Sequence, residues 1–525
     1  MLLCLACTPT ALTPSTPILQ DFENALTKIL VDKAHRELLQ APNTQARYDV
    51  ARSHLSRIER SINPKLLQPE TRLLLDELRQ TLNHEISLQK HESILERLNT
   101  RSSLITGFSH QFVTPMPNSK EDLTQIVANT KKLSGLLMQQ IVSPMMGGDP
   151  VAINAAISAL KKLSNGAEAL ADYQYRVRSL GLSTQETKTL NEAYRSLYTS
   201  VVAPRIELLL EKLKDNKPQR KSVLQLPDGK TYYGIKLRQS SDLLANDIHT
   251  LGLKELTKLH QRIEVLSGKS IQNVFRDNRD NPANYFPNSA TGRQQYLNKV
   301  HEIIEHSAKH FDIPLHSLTV KAVDTYRSEY ATTFDYFGST LHINLSNMKN
   351  LPRYELMGQV RFHSIPGLHL ATEKGGSISA QIAFSSYLSI DPITKNLNAL
   401  MYLVDNTSLM IIDTGIHALG WSELRAIDFM AENTALPKAR ILQYVDEVYM
   451  EPGRWAPSVV GRLKIHQLAE HHGIDFAAMS QILIALGTRP ITLLKQHLVE
   501  HQSHRLKAKP QDGAVHRLRS GLPPR

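Results

Sequence analysis

His363-Ser364-Ile365-Pro366-Gly367-Leu368-His369-Leu370 is the stretch from which the rest of this chain is read. Imidazoles are common metal ligands, and two on one helical segment are a recurrent way to hold zinc. A metal that activates water also needs a carboxylate to take the proton. The residue beside His363 is Ser364, and a hydroxyl without a base of its own does not do that work near neutral pH. His363 and His369 stand about 240° apart around an ideal helix. A shared site therefore needs a break in the helix, which Pro366-Gly367 would supply. Given that break, His363, His369 and Glu373 form a substitute ligand set, the last two being one turn apart.

Outside this stretch, composition sets the bounds. The 525 residues suffice for two or three ordinary domains or one large helical fold. Apolar residues make up 41% and charged residues 21%, a globular balance. Lys and Arg total 61 against 50 Asp and Glu, a formal charge of +11. The basic residues are dispersed among helical stretches, so nucleic acid is not an expected partner. One concentrated run closes the chain over 503–525, with Arg505, Lys507, Lys509, Arg517, Arg519 and Arg525, and reads as a solvated tail. No run reaches the roughly 18 apolar residues of a membrane-spanning helix.

Cys4 and Cys7 are the only cysteines, which leaves no cysteine nucleophile, zinc finger or disulfide framework in the body of the chain. Met1-Leu2-Leu3-Cys4-Leu5-Ala6-Cys7, with the Pro/Thr-rich run to Pro17, resembles the end of a bacterial lipoprotein signal, in which a small residue precedes the lipidated cysteine. A basic start is missing and the apolar segment is short. Two readings stand. Either 1–17 is a truncated signal with a lipid anchor at Cys7, and the protein belongs to the cell envelope or periplasm, or it is an ordinary N-terminus of a cytoplasmic protein.

Residues 18–220 read as antiparallel helices, with apolar residues at three- and four-residue spacing in Leu73-Leu74-Leu75, Leu78 and Leu82 and in Ile206, Leu208-Leu209-Leu210 and Leu213. Pro42-Asn43, Asn63-Pro64, Pro115-Met116-Pro117 and Gly147-Gly148-Asp149-Pro150 punctuate them. No functional constellation is visible there, and packing is the expected role. Residues 221–502 form a second region. Ser222–Leu226 and Thr231-Tyr232-Tyr233 flank the turn signal Pro227-Asp228-Gly229. A helix is expected to follow with a stop near Gly252, then helical pattern to Leu266 and again over 292–311. Short strands are expected at Leu318-Thr319-Val320 and Thr340–Asn344. The His363 helix follows Pro352, and further helices are expected over 395–412, 421–433, 438–450, 457–471, 475–486 and 490–502. The class is mainly α with a minor β portion.

Several segments together resemble the bacterial domain-of-unknown-function 885 family, of the gluzincin-type zinc-metallopeptidase clan. They are Asp413-Thr414-Gly415-Ile416-His417, Gly420-Trp421-Ser422, Ala426–Met430, Glu432-Asn433-Thr434, Pro452-Gly453, Gly461–Ile465, Gly473–Phe476 and Leu486-Gly487 with Pro490. Upstream, Asp228-Gly229, Tyr232-Tyr233, Asp247–Leu253, Asn281-Pro282, Tyr285-Phe286, Asn344 and Pro352–Glu355 also fit. The resemblance implies a two-lobed peptidase-type fold. The family's metal helix typically reads H-E-x-x-P-G-H-H-x-Q. Here His363, Pro366, Gly367 and His369 fall in register, while Ser364 takes the Glu position, Leu368 the first His of the pair and Ala371 the Gln. Near the family's E-G-W-A-L-Y segment, the source of a third ligand, this chain has Gln381, a poor zinc ligand. Ser408 replaces an Arg, and Arg454 and Ser458 replace a Gln and a Tyr of a later motif.

The resemblance thus implies a degenerate peptidase, catalytically inactive, without a resident metal and able to bind peptides. The alternative is an active metallopeptidase that uses zinc through the His363, His369 and Glu373 set. A binding module for anionic surfaces rests on charge alone. His363, His369, Asp413, His417 and Arg454 are expected on one concave cleft, with Asp413 fixing the Gly415 turn and His417 opening the Trp421 helix. His301, Glu302, Glu305 and His306 read as a solvated helix face, His471-His472 as a helix end, and Gly375-Gly376-Ser377 as a loop with no phosphate role.

Overall fold

The computed structural model describes residues 16–40, 44–91, 117–142, 150–214, 220–238, 242–315, 318–323, 328, 331–391, 394–489 and 491–508. Cys4, Cys7, the Pro42, Pro115 and Gly147 breakers and the tail from Lys509 lie outside them. Helices dominate. The first part carries α1 (Thr16–Gln40), α2 (Thr44–Ser61), α3 (Pro69–Gln89), α4 (Lys120–Val142), α5 (Pro150–Ser164), α6 (Ala167–Ser179), α7 (Thr184–Leu197) and α8 (Ala203–Lys214). The second carries α9 (Gly229–Arg238), α10 (Ala245–Ser267), α11 (Ile271–Asp280) and α12 (Ala290–Phe311). Strands β1 (Thr319–Ala322), β2 (Phe334–Phe337) and β3 (Thr340–Ile343) follow. Then come α13 (Arg353–His363), α14 (Leu368–Lys374), α15 (Ile378–Ser389), α16 (Leu397–Ala418), α17 (Glu423–Asn433), α18 (Lys438–Met450), α19 (Ala456–His471), α20 (Phe476–Leu486) and α21 (Ile491–Ala508).

Local chemistry explains where these helices begin and end. Ser183 and Glu186 form a reciprocal capping box at the start of α7, and Ser289, Ser377, Ser422 and Asp475 each accept a backbone N–H from the first turn of the helix they open. Gly268 closes α10 in the left-handed region at φ 65°.

Helix α16 is the centre of the second part. Nearly every side chain from Ala399 to His417 is buried, as expected of a helix apolar on all sides. Helix α10 lies against it, and a Cβ on Gly252 would stand 2.7 Å from Ile411 Cγ1. Gly252 is therefore a point of close approach inside one continuous helix, and the expected stop there is corrected. Gly415 has the same kind of role: it lies inside α16, and a Cβ would meet the Trp421 ring at 2.5 Å. His417 sits in the last turn of α16, so it closes that helix and does not open the next. Ser222–Tyr233 forms a short 3-10 turn over Val223–Gln225 and then α9, which starts at Gly229 of the turn signal.

The sheet order is β1-β3-β2, with β1 parallel and β2 antiparallel to β3. Strand β3 is buried along its length and β2 is an outer strand. Helix α21 runs to Ala508, past the expected start of the tail at 503.

In a helix interior Gly→Ala ordinarily stabilises by about 1 kcal/mol. Against the Trp421 ring the sign reverses: Gly415→Ala is expected to destabilise by about 1–3 kcal/mol, read as a lower urea midpoint. A midpoint equal to or above wild type would show that the ring is free to move aside.

Candidate functional site

The break in the His363 helix is real. Helix α13 ends at His363, the Ile365-Pro366 bond is cis, and α14 starts at Leu368. The break turns the two histidines to different partners. His363 Nδ1 lies 2.9 Å from the Gln359 carbonyl, and its ring stacks on Phe334 and meets Phe362 edge-on. His369 Nδ1 lies 2.8 Å from the Tyr336 hydroxyl, and its Nε2 lies 3.6 Å from Glu373.

A cavity of about 300 Å³ opens beside His363. Its walls are outer strand β2, the end of α13 and the facing sides of α16, α18 and α19. Phe334, Tyr336, Phe362, Leu368, Tyr402 and Trp455 give it apolar and aromatic surface, and Asp335, Arg440, Glu447, Glu451 and Arg454 give it charge. Arg440 is the anchor of the floor and is almost wholly buried. It donates to Tyr444 Oη at 2.7 Å and to Gln443 Oε1 at 3.0 Å, and also bonds Thr333. Tyr444 in turn donates to Glu355 at 3.0 Å, and the Arg440 Nε stands 3.7 Å from the same carboxylate. Burial raises the Glu355 pKa, and Arg440 opposes that rise. Removing one partner of such a pair leaves an uncompensated buried charge. At the rim Arg454 lies 3.3 Å from both Glu447 and Glu451 and over the Trp455 ring.

The expected site residues divide. His363 and Arg454 line this cavity; His369, Asp413 and His417 do not. His369 lies next to it through Tyr336. Asp413 is buried in α16, accepting from Tyr233 Oη at 3.1 Å and from the Gly453 N–H at 3.0 Å. It braces the Gly453 turn, and not a turn at Gly415. Burial raises its pKa to about 7. His417 Nδ1 accepts the Val223 N–H at 3.3 Å, so its Nε2–H donates to the Val448 carbonyl at 2.9 Å. This neutral ring joins three segments, and burial depresses its pKa to about 4.

The replaced positions have local duties. Ser364 donates to the Val360 carbonyl at 2.5 Å, Gln381 donates to the Gly376 carbonyl at 3.0 Å, and Ser458 bonds Ser386 across α15 and α19 at 3.0 Å. Ser408 and Ala371 are buried. Among the described residues no three His, Cys, Asp or Glu side chains are grouped as a metal ion requires. His363, with Ser364 turned onto its own helix and Gln381 bonded to backbone, does not fit a catalytic zinc, which takes about three protein ligands. The His363, His369 and Glu373 set is not assembled. His301, Glu302 and Glu305 do lie on an exposed helix side, with Glu302 paired to Lys299.

Arg440, Tyr444 and Gln359 were not singled out in the sequence, and Glu355 entered only as the end of the Pro352–Glu355 segment. The i, i+4 spacing of Arg440 and Tyr444 on α18 was the available signal.

The model of the family described as bacterial protein of unknown function, DUF885, matches residues 30–373 and 394–498. No curated protein matches. Among solved structures, a "putative lipoprotein" from Colwellia psychrerythraea superposes with a TM-score of 0.72 at 16% identity, over 92% of this chain and 99% of that one. A "putative lipoprotein of unknown function" from Shewanella oneidensis gives 0.59 at 12% identity, over 92% and 98%. At these identities the likeness concerns the fold.

The His417 ring has a pH consequence. The unfolded chain takes its proton near 6.5 and the folded one near 4, so its contribution is complete above 6.5 and is lost as pH falls toward 4. Asp413 has the opposite sign: its contribution is complete below 3.8 and is lost as pH rises through about 7. The His417 part is isolated by comparison with His417→Gln. The substitution should cost about 2–3 kcal/mol more at about pH 7.5 than at about pH 4.5, as read by urea unfolding. An equal cost at both would mean that the ring is solvated.

Proposed function

This chain belongs to DUF885, a family of bacterial proteins of unknown function, and from that premise we propose that it is a degenerate gluzincin-type peptidase homologue of two-lobed plan. It binds short peptides in the His363 cavity and does not hydrolyse them. The observation that carries the reading is the outer strand β2 on the cavity wall. Extended peptides are commonly held by adding a strand to a sheet's outer edge, with pockets taking alternate side chains. The Phe334, Phe362 and Trp455 surface supplies apolar contact, and Arg454 at the rim, between Glu447 and Glu451, supplies polar contact. A volume of about 300 Å³ suits a very short peptide.

Inactivity follows from the chemistry present. Water activation by a metal needs a bound ion and a positioned carboxylate together. Ser364 and Gln381 supply neither, and both are spent on backbone carbonyls. We further place the protein at the bacterial cell envelope, by way of the Ala6-Cys7 pair and the lipoprotein descriptions of the two solved neighbours.

The chain has two tryptophans, Trp421 in the core and Trp455 on the cavity. In a Trp421→Phe background, mixed short peptides are expected to change the Trp455 emission saturably. Arg454→Ala is expected to weaken binding about tenfold, the equivalent of about 1.4 kcal/mol. The same peptides should remain intact with added zinc. Hydrolysis abolished by a chelator and by His363→Ala, with about one zinc per chain, the minimum for a mononuclear site, would overturn the inactive reading. An unchanged emission would overturn the binding one.

A further inference from the structure

A second cavity, of about 430 Å³, lies where α1, α2 and α3 meet α9 and the Gly375-Gly376-Ser377 turn. It is separate from the His363 cavity and lies among the N-terminal helices, where packing is the expected role. His35, on α1, is only 2% exposed, and neither of its ring nitrogens has a hydrogen-bond partner. His84, on α3, lines the same space, and its Nε2 is also unpartnered. Buried polar nitrogens are nearly always bonded in folded proteins. Three such atoms around one cavity mark a place shaped to receive hydrogen bonds from outside the chain.

The charges around the cavity select the ligand. Arg47 from α2 holds Glu85 of α3 bidentately, at 2.8 and 2.5 Å. That pairing spends the carboxylate nearest His84. Lys236, Arg47 and Arg238 all disfavour a proton on His84, in addition to burial, and Glu85 alone favours one. The remaining acids are Glu77 and the exposed Asp242. Burial pushes the Glu77 carboxyl up toward its neutral form, with Ser377 and Arg489 acting against that shift. The α15 turn adds no charge. At His84 the neighbouring cations outweigh the one acid, and both imidazoles are neutral and desolvated. A metal ion is a poor match, because no three suitable ligands come together among the described residues.

We propose that this cavity is a second binding site, for a small carboxylate-bearing molecule held between the His35 and His84 rings and the Arg238 guanidinium. The incoming negative charge offsets the neighbouring cations, so the rings can take up protons and donate to the carboxylate oxygens. Binding is thereby coupled to proton uptake and strengthens as pH falls from neutral. The cavity borders Gly376-Ser377, whose carbonyl and hydroxyl hold Gln381 and the start of α15. Occupancy thus bears on the helix that also carries Ile382 into the His363 cavity.

The test is calorimetry on the full chain near pH 6.5, in buffers of different ionisation heat. Succinate stands for a free dicarboxylate and N-acetyl-dialanine for the carboxyl end of a peptide. Binding by either probe with a Kd of about 1 mM or tighter, accompanied by proton uptake, is expected, and the stronger of the two identifies the source. Arg238→Ala, at an exposed position, should weaken it about tenfold, and His84→Gln should remove most of the proton uptake. Arg454→Ala, in the other cavity, should leave succinate binding unchanged, and N-acetyl-dialanine is titrated in that background so that the His363 cavity does not contribute. The proposal fails if neither probe binds at about 10 mM. It fails equally if binding releases or ignores protons, or is indifferent to Arg238→Ala and His84→Gln. Peptide binding at Trp455 stands or falls separately.

Discussion

The enclosure of α16 is the constraint on which the second part of the structure depends. A helix buried on every side forces each of its polar groups to find a partner inside the protein. Thr414 meets His249, Asp413 meets Tyr233 and the Gly453 N–H, and His417 spans Val223 and Val448. These bonds fix where α9, α10 and α18 cross the central helix. They also fix the Gly453 turn next to Arg454 and Trp455. The cavity is thus shaped by side chains that never enter it. Asp405, also on α16, departs from the pattern: its carboxylate makes no comparable bond, and burial and then the nearby Glu355 raise its pKa well above the usual range.

Much of the helical plan was legible because proline, glycine and capping residues mark helix ends by local chemistry. The boundaries at Pro352, Pro437 and Asp475 are of this kind. Gly252 and Gly415 were misread because a glycine that admits a neighbouring helix or ring has the same letter as one that ends a helix. Strand β2 left no alternating pattern, since Phe334-Asp335-Tyr336-Phe337 is short and apolar at both ends. Asp413 and His417 have the residue types of a reactive site, and only their neighbours reveal that they brace the core. The Arg440, Tyr444 and Glu355 network joins α18 to α13 across as many as 89 residues of sequence, and pairing at that range is a property of the packing. His35 and His84 pose the same problem in the first region, where heptad-like leucines dominate the pattern.

The Pro366-Gly367 break illustrates how one backbone feature redirects chemistry. An uninterrupted helix would have carried the two histidines on a single rod. With the break, His363 faces the aromatic wall at Phe334 while His369 is taken by Tyr336 of the same outer strand. Both rings then support β2 from behind. The His363 imidazole becomes part of the wall along which an extended ligand would lie, and His369 backs that wall through Tyr336.

The helices from α4 to α8 enclose a core of their own, built from Leu123, Leu160, Tyr173, Tyr194, Tyr198 and Leu209 among others. Both tryptophans belong to the other part of the chain. A molecule with separate cores need not melt as one cooperative body. Tryptophan emission follows the α16 core alone, whereas far-ultraviolet circular dichroism sums every helix. Two denaturation curves from one sample would then differ in midpoint, and their gap measures how independently the α4–α8 bundle unfolds.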